Sequence, residues 1–413
     1  MKYLLPLLLL YVLPQACLFA DPPSGFPLGV WYEGGVGASR QNSVPEDPTQ
    51  AAKQYEHDFA DMAAHGINCA VVPNTPPNHH KPLLDAAQKH NLKLIIELNL
   101  DGGDIGHMIR GAKPLDMAEV QKILDRDLAP IKNHPALWKI QLLDEPAVGE
   151  PFQRYAKVAE ALRTYDGNHD AFCCLSGVGA VESFCKITGS RVAAWDFYPV
   201  GGDTKPGDQS FLKATAEAST TANQQALKAS ATTYAVLQAF TQTNTVRFPS
   251  PAEIRCMTYL SLATGSRGIF WFIYGTQHLD PEHKLLMAGL TDRDNKQPRD
   301  RWNEIAKLTK EISALAPTLN RLTPAVNSNL ASSSQFARVL KDDQGRFYVF
   351  AVNMNTLTPE KVSLRFGTAS EVAGEAEVIQ LPRKKKLPVI HDGAEVVWEQ
   401  TLNPGDATLF RID

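Results

Sequence analysis

The residue types best suited to chemistry in this sequence are carboxylates that end short apolar runs, with aromatic side chains beside them. Asp144 and Glu145 close the run Leu142-Leu143-Asp144-Glu145-Pro146, and Asp196 stands in Trp195-Asp196-Phe197-Tyr198-Pro199. Two carboxyl groups held close together cannot both ionise cheaply, so one keeps its proton as an acid while the other serves as base or electrostatic stabiliser. Glu33, Glu97 and Asn99 end other such runs, as does Gln238, and Tyr198, Trp271 and Tyr274 offer aromatic faces. Acids beside aromatic platforms suit a polar, ring-shaped substrate such as a sugar, whose C–H faces stack on Trp or Tyr.

Other chemistries lack their residues. His79, His80 and His107 show no metal-ligand spacing, and no cysteine spacing resembles a zinc site. No glycine-rich phosphate loop of the P-loop or dinucleotide type occurs, so neither a metal nor a cofactor is expected. Lys93 and Lys139 fall too early in their strands to serve as Schiff-base lysines at a barrel mouth. The net charge of -4 shows none of the basic surplus of a nucleic-acid binder. Cys69, Cys173, Cys174, Cys185 and Cys256 do not make a disulfide scaffold in so long a chain. Cys173 with Cys185 is the plausible pair, while Cys69 and Cys256 sit in apolar segments as small hydrophobes.

The elements that must position these residues alternate short β-branched runs with longer helical patterns, the signature of repeated βα units. Strands are predicted at Leu28–Tyr32, Ile67–Pro73, Leu92–Leu98, Leu137–Glu145, Asp170–Ser176, Val192–Tyr198, Thr232–Gln238 and Gly268–Tyr274. Helices are predicted between them, including one from Met117 to Asn133, one opened by Pro251, and one from Trp302 to Leu315. Eight such units within 413 residues select an α/β fold, a (β/α)₈ TIM barrel, over a doubly wound sheet. In such a barrel the strand C-termini form the active-site mouth, which is where the residues above fall.

After about Pro324 the helical patterns stop. A hairpin around Lys341-Asp342-Asp343-Gln344-Gly345 and strands near 361–366, 375–381, 395–402 and 407–412 predict a small all-β sandwich over residues 325–413. Its strand Arg346–Met354 is apolar on both faces, which fits burial between a partner sheet and the barrel's side. The basic run Arg383-Lys384-Lys385-Lys386 reads as a solvated turn without function. At the other end, Lys2 precedes an apolar run to Leu13 and then Gln15-Ala16-Cys17-Leu18-Phe19-Ala20. Residues 1–20 read as a signal peptide cut after Ala20, too short to span a bilayer, so the barrel occupies 21–324 and the protein is secreted or periplasmic. Lipid anchoring at Cys17 is the weaker alternative, because Pro14-Gln15-Ala16 is a poor lipobox. Nothing in the sequence sets an oligomeric state.

The triplet Asp144-Glu145-Pro146 resembles the fourth-strand motif of the large barrel clan of retaining glycoside hydrolases, in which Asn-Glu-Pro carries the acid/base glutamate. Glu145 matches that glutamate, and Asp144 stands where the clan has asparagine. In architecture nearly the whole chain is similar to secreted bacterial glycoside hydrolase-like barrels with a C-terminal β-sandwich. The resemblance implies hydrolysis of an oligo- or polysaccharide with Glu145 as general acid, and the Asp144 charge beside it would raise its pKa. One position departs from the clan: its nucleophile is a glutamate ending strand seven, and this sequence has Gln238 there, which cannot attack as a carboxylate does. Three mechanisms follow. An inverting enzyme would use Asp196 as its second acid, a hexosaminidase-like enzyme would use Asp144 and Glu145 with the substrate's own acetamido group, and a non-catalytic barrel would only bind glycans. In the catalytic readings Glu33, Glu97, Asn99, Tyr198, Gln238, Trp271 and Tyr274 hold the sugar.

Overall fold

The computed structural model describes residues 23, 25–32, 44–98, 105–280, 285–292, 299–325, 330–367 and 377–413. The leader-like residues 1–20, Glu33 and Asn99 lie outside them. Eight parallel strands close a barrel in chain order: β1 Leu28–Trp31, β2 Cys69–Val72, β3 Lys93–Glu97, β4 Leu137–Asp144, β5 Asp170–Ser176, β6 Val192–Phe197, β7 Thr232–Gln238 and β8 Ile269–Phe272. The ring closes where β8 pairs with β1, Phe270 opposite Gly29.

Side chains alternate across each strand. Trp31, Val71, Ile95, Trp138, Phe172, Tyr234 and Phe270 pack together inside the ring. Their neighbours Val30, Val72, Ile96, Cys173, Ala235 and Trp271 pack outward with the helices. The interior is mostly aromatic: Trp31 and Phe172 lie 6.3 Å apart by ring centroids, and Tyr234 and Phe270 5.8 Å. Gly29 makes room for this filling, because a Cβ there would stand 2.4 Å from the Phe270 ring.

The helices are α1 Pro48–Ala64, α2 Pro77–Lys89, α3 Ile105–Arg110, α4 Met117–Ile123, α5 Glu150–Tyr165, α6 Val181–Thr188, α7 Ser210–Lys228, α8 Pro251–Ala263 and α9 Asp300–Leu319. Local chemistry starts them where they start. Asp47 accepts from the Thr49 and Gln50 amides ahead of α1, and Ser250 forms a reciprocal capping box with Glu253 around Pro251 at the head of α8.

Three features differ from the sequence expectation. The helix foreseen from Met117 to Asn133 is α-helical only to Ile123 and continues as a π turn over Leu124–Leu128. Short α3, and a three-stranded rim sheet of Thr241–Gln242, Gln277–Asp280 and Leu285–Ala288, were not foreseen; both are too brief to leave a period in the sequence. Cys173 and Cys185 do not pair: both are free thiols buried against the helix layer, as are Cys69, Cys174 and Cys256 in their own places. No helix among the described residues is long and apolar enough to cross a membrane.

Beyond α9 the chain forms a six-stranded and a four-stranded antiparallel sheet. In the strand Phe347–Val352, Val349 and Ala351 face the second sheet, while Tyr348, Phe350 and Val352 join the core cluster of the barrel's helices. Phe350 lies 6.0 Å from Tyr259 of α8. Arg255, also on α8, ties this seam electrostatically: it donates to Glu304 (2.7 Å) and Glu311 (2.5 Å) on α9 and to Asp406 (3.1 Å) in the sandwich. A largely buried guanidinium with three carboxylates holds its partners firmly, and its removal leaves them uncompensated. Arg255→Ala is expected to cost about 3 kcal/mol of unfolding free energy in urea denaturation. An unchanged transition would mean that the apolar face alone holds the sandwich in place.

Candidate active site

The mouth of the barrel is shaped by what happens at the end of β4. Its register against β5 shifts between Gln141 and Leu143, so Leu142 and Leu143 both pack outward. The bulge returns Asp144 to the inner face, opposite Cys174. Glu145 then leaves the strand with a φ of +48°, in the left-handed region that non-glycine residues rarely adopt, while its amide still donates to Cys174 O at 2.9 Å. Such a conformation persists only where its surroundings hold it, and it turns the Glu145 side chain across the mouth.

Across from it, Asp196 ends β6 on the inner face, in register with Ser176 of β5 and Val236 of β7. The Glu145 carboxyl and the Tyr198 hydroxyl both act on the Asp196 carboxyl, in opposite senses. Asp196 is 8% exposed, whereas Glu145 is open to solvent. Burial, then the Glu145 hydrogen bond and charge, then the Asp144 charge push the Asp196 carboxyl up to about 8, against the opposing pull of the Tyr198 hydroxyl. The acid that keeps its proton at neutral pH is therefore Asp196. Two carboxyl groups in contact share that proton.

Tyr198 forms one wall of the mouth with Phe240 and Phe272, its ring 5.1 Å and 5.5 Å from theirs. Glu97, on the same face of β3 as the inward Ile95, accepts from the Asn74 amide at 3.0 Å. Arg110 of α3 donates to the Asp144 carbonyl at 3.0 Å and brings a cation to the acid cluster. Neither Arg110 nor the Phe240–Phe272 wall was identified from the sequence. Arg110 lies on the unforeseen helix, while Phe272 was legible in principle as the residue sharing strand parity with the inward Phe270.

Three expected sugar contacts lie elsewhere. Gln238 is fully buried: its Oε1 accepts from Val200 N (2.8 Å), and its Nε2 donates to Val200 O and Arg247 O (3.2 Å each). It stitches two loops over the end of β7. Trp271 points outward, donating to Thr258 Oγ1 of α8 at 3.3 Å. Tyr274 is also in the helix layer, donating to Asp61 of α1 at 3.1 Å. His79 and His80 are buried, bonded to Tyr55, Glu46 O and Thr75 O. Among the described residues no three His, Cys, Asp or Glu side chains are placed to hold a metal ion.

Known structures were compared with this arrangement. A β-galactosidase from the psychrophilic Marinomonas ef1 superposes with a TM-score of 0.51 and 14% identity, over 71% of this chain and 60% of that one. A β-D-glucuronidase of Dictyoglomus thermophilum gives 0.50 and 14%, over 70% and 51%. The barrel shares the fold of these two glycosidases. The likeness is one of fold, and the chain spans a half to three-fifths of those proteins' length. No protein-family model matches the chain, and no curated protein matches it in sequence.

Two predictions follow from the site's electrostatics and hydrogen bonds. An unfolded aspartate titrates near 3.9 and the folded Asp196 near 8, so the folded state holds the extra proton in between. The stability this group contributes is fully present below about pH 4 and is lost as pH rises through about 8. Asp196→Asn, neutral at every pH, should therefore melt at a higher temperature than the unmutated protein at pH 9 and near the same temperature at pH 5. An equal difference at both pH values would remove the buried proton from the description. Gln238→Glu places a carboxylate where a clan nucleophile would stand, but among carbonyls that reject it. It should destabilise the fold by about 3 kcal/mol in urea denaturation and add no glycosidase activity.

Proposed function

We propose that this protein is a glycoside hydrolase cleaving glycosidic bonds in an oligo- or polysaccharide, with its chemistry in residues 21–324 and a bracing β-sandwich in 325–413. The observation that carries the reading is the Glu145–Asp196 pair, two carboxyls sharing one proton at the mouth of a glycosidase-like barrel. Glu145, open to solvent, delivers the shared proton to the glycosidic oxygen as the C1–O bond breaks; a water oxygen then bonds to C1 and its proton returns to the pair. Asp196 holds the shared proton at neutral pH and takes up negative charge as it leaves. Asp144 keeps the local potential negative, which favours the positive charge developing on the sugar ring. Tyr198, Phe240, Phe272 and Glu97 receive the sugar. Export directed by residues 1–20 would bring such an enzyme to polymers outside the cell.

A second reading, substrate-assisted hydrolysis, is favoured by one specific observation. Gln238 is sealed beneath two loops, so the end of β7, where the clan's nucleophile stands, offers none to C1. A 2-acetamido sugar brings its own nucleophile, its carbonyl oxygen attacking C1 as Glu145 protonates the leaving oxygen.

Reducing-end release from unactivated oligosaccharides tests both, since a good aryl leaving group conceals the loss of a general acid. Glu145→Gln should lower kcat by about 10²–10⁴-fold with oligosaccharide binding retained. The unmutated enzyme should lose activity as pH rises through about 8. Cleavage confined to N-acetylhexosaminides would select the substrate-assisted route. Binding without release of any product from a broad oligosaccharide panel would make the protein a glycan-binding barrel instead.

A further inference from the structure

At the seam between α9 and the β-sandwich lies a cavity of about 340 Å³, within the roughly 300–1,000 Å³ of small-molecule sites. Arg321, Arg346, Lys384 and Arg411 line it together with Pro317 and Pro382, and no carboxylate does. The four cations are not equally committed. Arg346 is held by Asp342 at 2.8 Å and Arg411 by Asp413 at 2.6 Å. Arg321 donates from Nε to Pro317 O at 3.3 Å and has the Asp343 carboxylate at 3.8 Å, which leaves its terminal nitrogens without a hydrogen bond among the described residues. Lys384 has no hydrogen bond or ion pair among the described residues, and its φ of +53° presents it from a tight left-handed turn. That turn is the basic run Arg383-Lys384-Lys385-Lys386, in which, among the described residues, only Lys386 finds a carboxylate, Glu377. A chain with a net charge of -4 thus gathers four cations around one concave place, three of them with a carboxylate on their outer side.

We propose that this cavity is a binding site for the carboxylate of an acidic saccharide, a uronic-acid unit of a polysaccharide. The anionic character follows from the lining: Arg321 and Lys384 offer free donors to a carboxylate, and Pro317 and Pro382 offer apolar faces to ring C–H groups. That the anion is carried on a sugar rests on the glycosidase reading above. The site lies apart from the acid pair, on α9 and sandwich residues, and so needs no cleavage to bind.

The test is calorimetric titration of the full-length protein with oligogalacturonate, neutral cello-oligosaccharide and inorganic sulfate. Lys384→Asn keeps a residue that tolerates the left-handed backbone while removing the charge, and Arg321→Gln removes the other free donor. Oligogalacturonate should bind more tightly than the neutral chain, and each variant should weaken it about tenfold. Added salt should weaken it further, and Glu145→Gln should leave it unchanged. Equal affinity in both variants, no oligogalacturonate binding, or loss of binding in Glu145→Gln would overturn the site. Sulfate, a short DNA strand or phosphatidylserine vesicles binding as tightly as oligogalacturonate would make it a general anion patch and overturn its saccharide assignment. Seam binding of oligogalacturonate together with no release of reducing ends from a broad panel of neutral and N-acetylated oligosaccharides would sink the glycosidase reading and leave this site standing.

Discussion

A closed ring of eight strands leaves its inward side chains nowhere to go but the axis, and here the axis is filled with rings. Trp31, Trp138, Phe172, Tyr234 and Phe270 occupy it, so the inward positions at the strand ends rest on a dry, weakly polarisable floor. A carboxylate brought there loses solvation that no nearby cation replaces in full. Asp196 sits on that floor with Glu145 and Asp144 beside it, and it resolves the conflict by staying protonated. The acidity on which the proposed chemistry depends is thus a property of the barrel core as much as of the acids. A polar cavity opened beneath Asp196 would solvate its carboxylate and let the proton go at neutral pH without touching the residue itself.

The same rule of alternation decides how much could be read in advance. Strand positions were legible because β-branched runs and glycine or proline breaks mark them: β5 and β7 span the residues their composition indicates, and the others start or end within a few residues. Facing at strand ends was harder. Trp271 and Phe272 are adjacent and both aromatic, and only the inward Phe270 shows that Phe272, not Trp271, turns to the mouth. Tyr274 lies past the end of β8, where strand alternation no longer applies, and its hydroxyl is taken by Asp61 across the helix layer. Asp144 and Glu145 would fall on opposite faces of a regular strand. A bulge at Leu142 and a left-handed Glu145 bring them to one mouth, and neither has a signature in residue type.

Long-range charge is the other thing a linear reading misses. Arg255 meets Glu304 49 positions away and Asp406 151 positions away. Nothing local marks it as the tie between helix layer and sandwich. The apolar half of that tie was legible, because a strand with Tyr348 and Phe350 on one face and Val349 and Ala351 on the other demands cover on both. Hydrophobic cover can be counted along a strand, whereas ion pairing depends on partners that only the fold supplies. The Gln238 side chain is a polar example: its partners, Val200 and Arg247, belong to loops that converge only when the barrel closes.

Charge is also divided between two places on this molecule, and the division constrains what one substrate could satisfy both. The mouth gathers Asp144, Glu145, Asp196 and Glu97, with Arg110 the cation that contacts it among the described residues, and such a gathering of carboxyls disfavours anions. A uronate seated there would bring one more carboxyl against Asp144, Glu145 and Asp196, a like-charge juxtaposition that costs several kcal/mol. The seam beside α9 has the opposite sign and repels nothing that carries a carboxylate. A polymer that engages both therefore carries neutral or acetamido units where it is cut and acidic units where it is held. The spacing between those units along the chain, rather than the identity of either alone, would set which polymer is chosen.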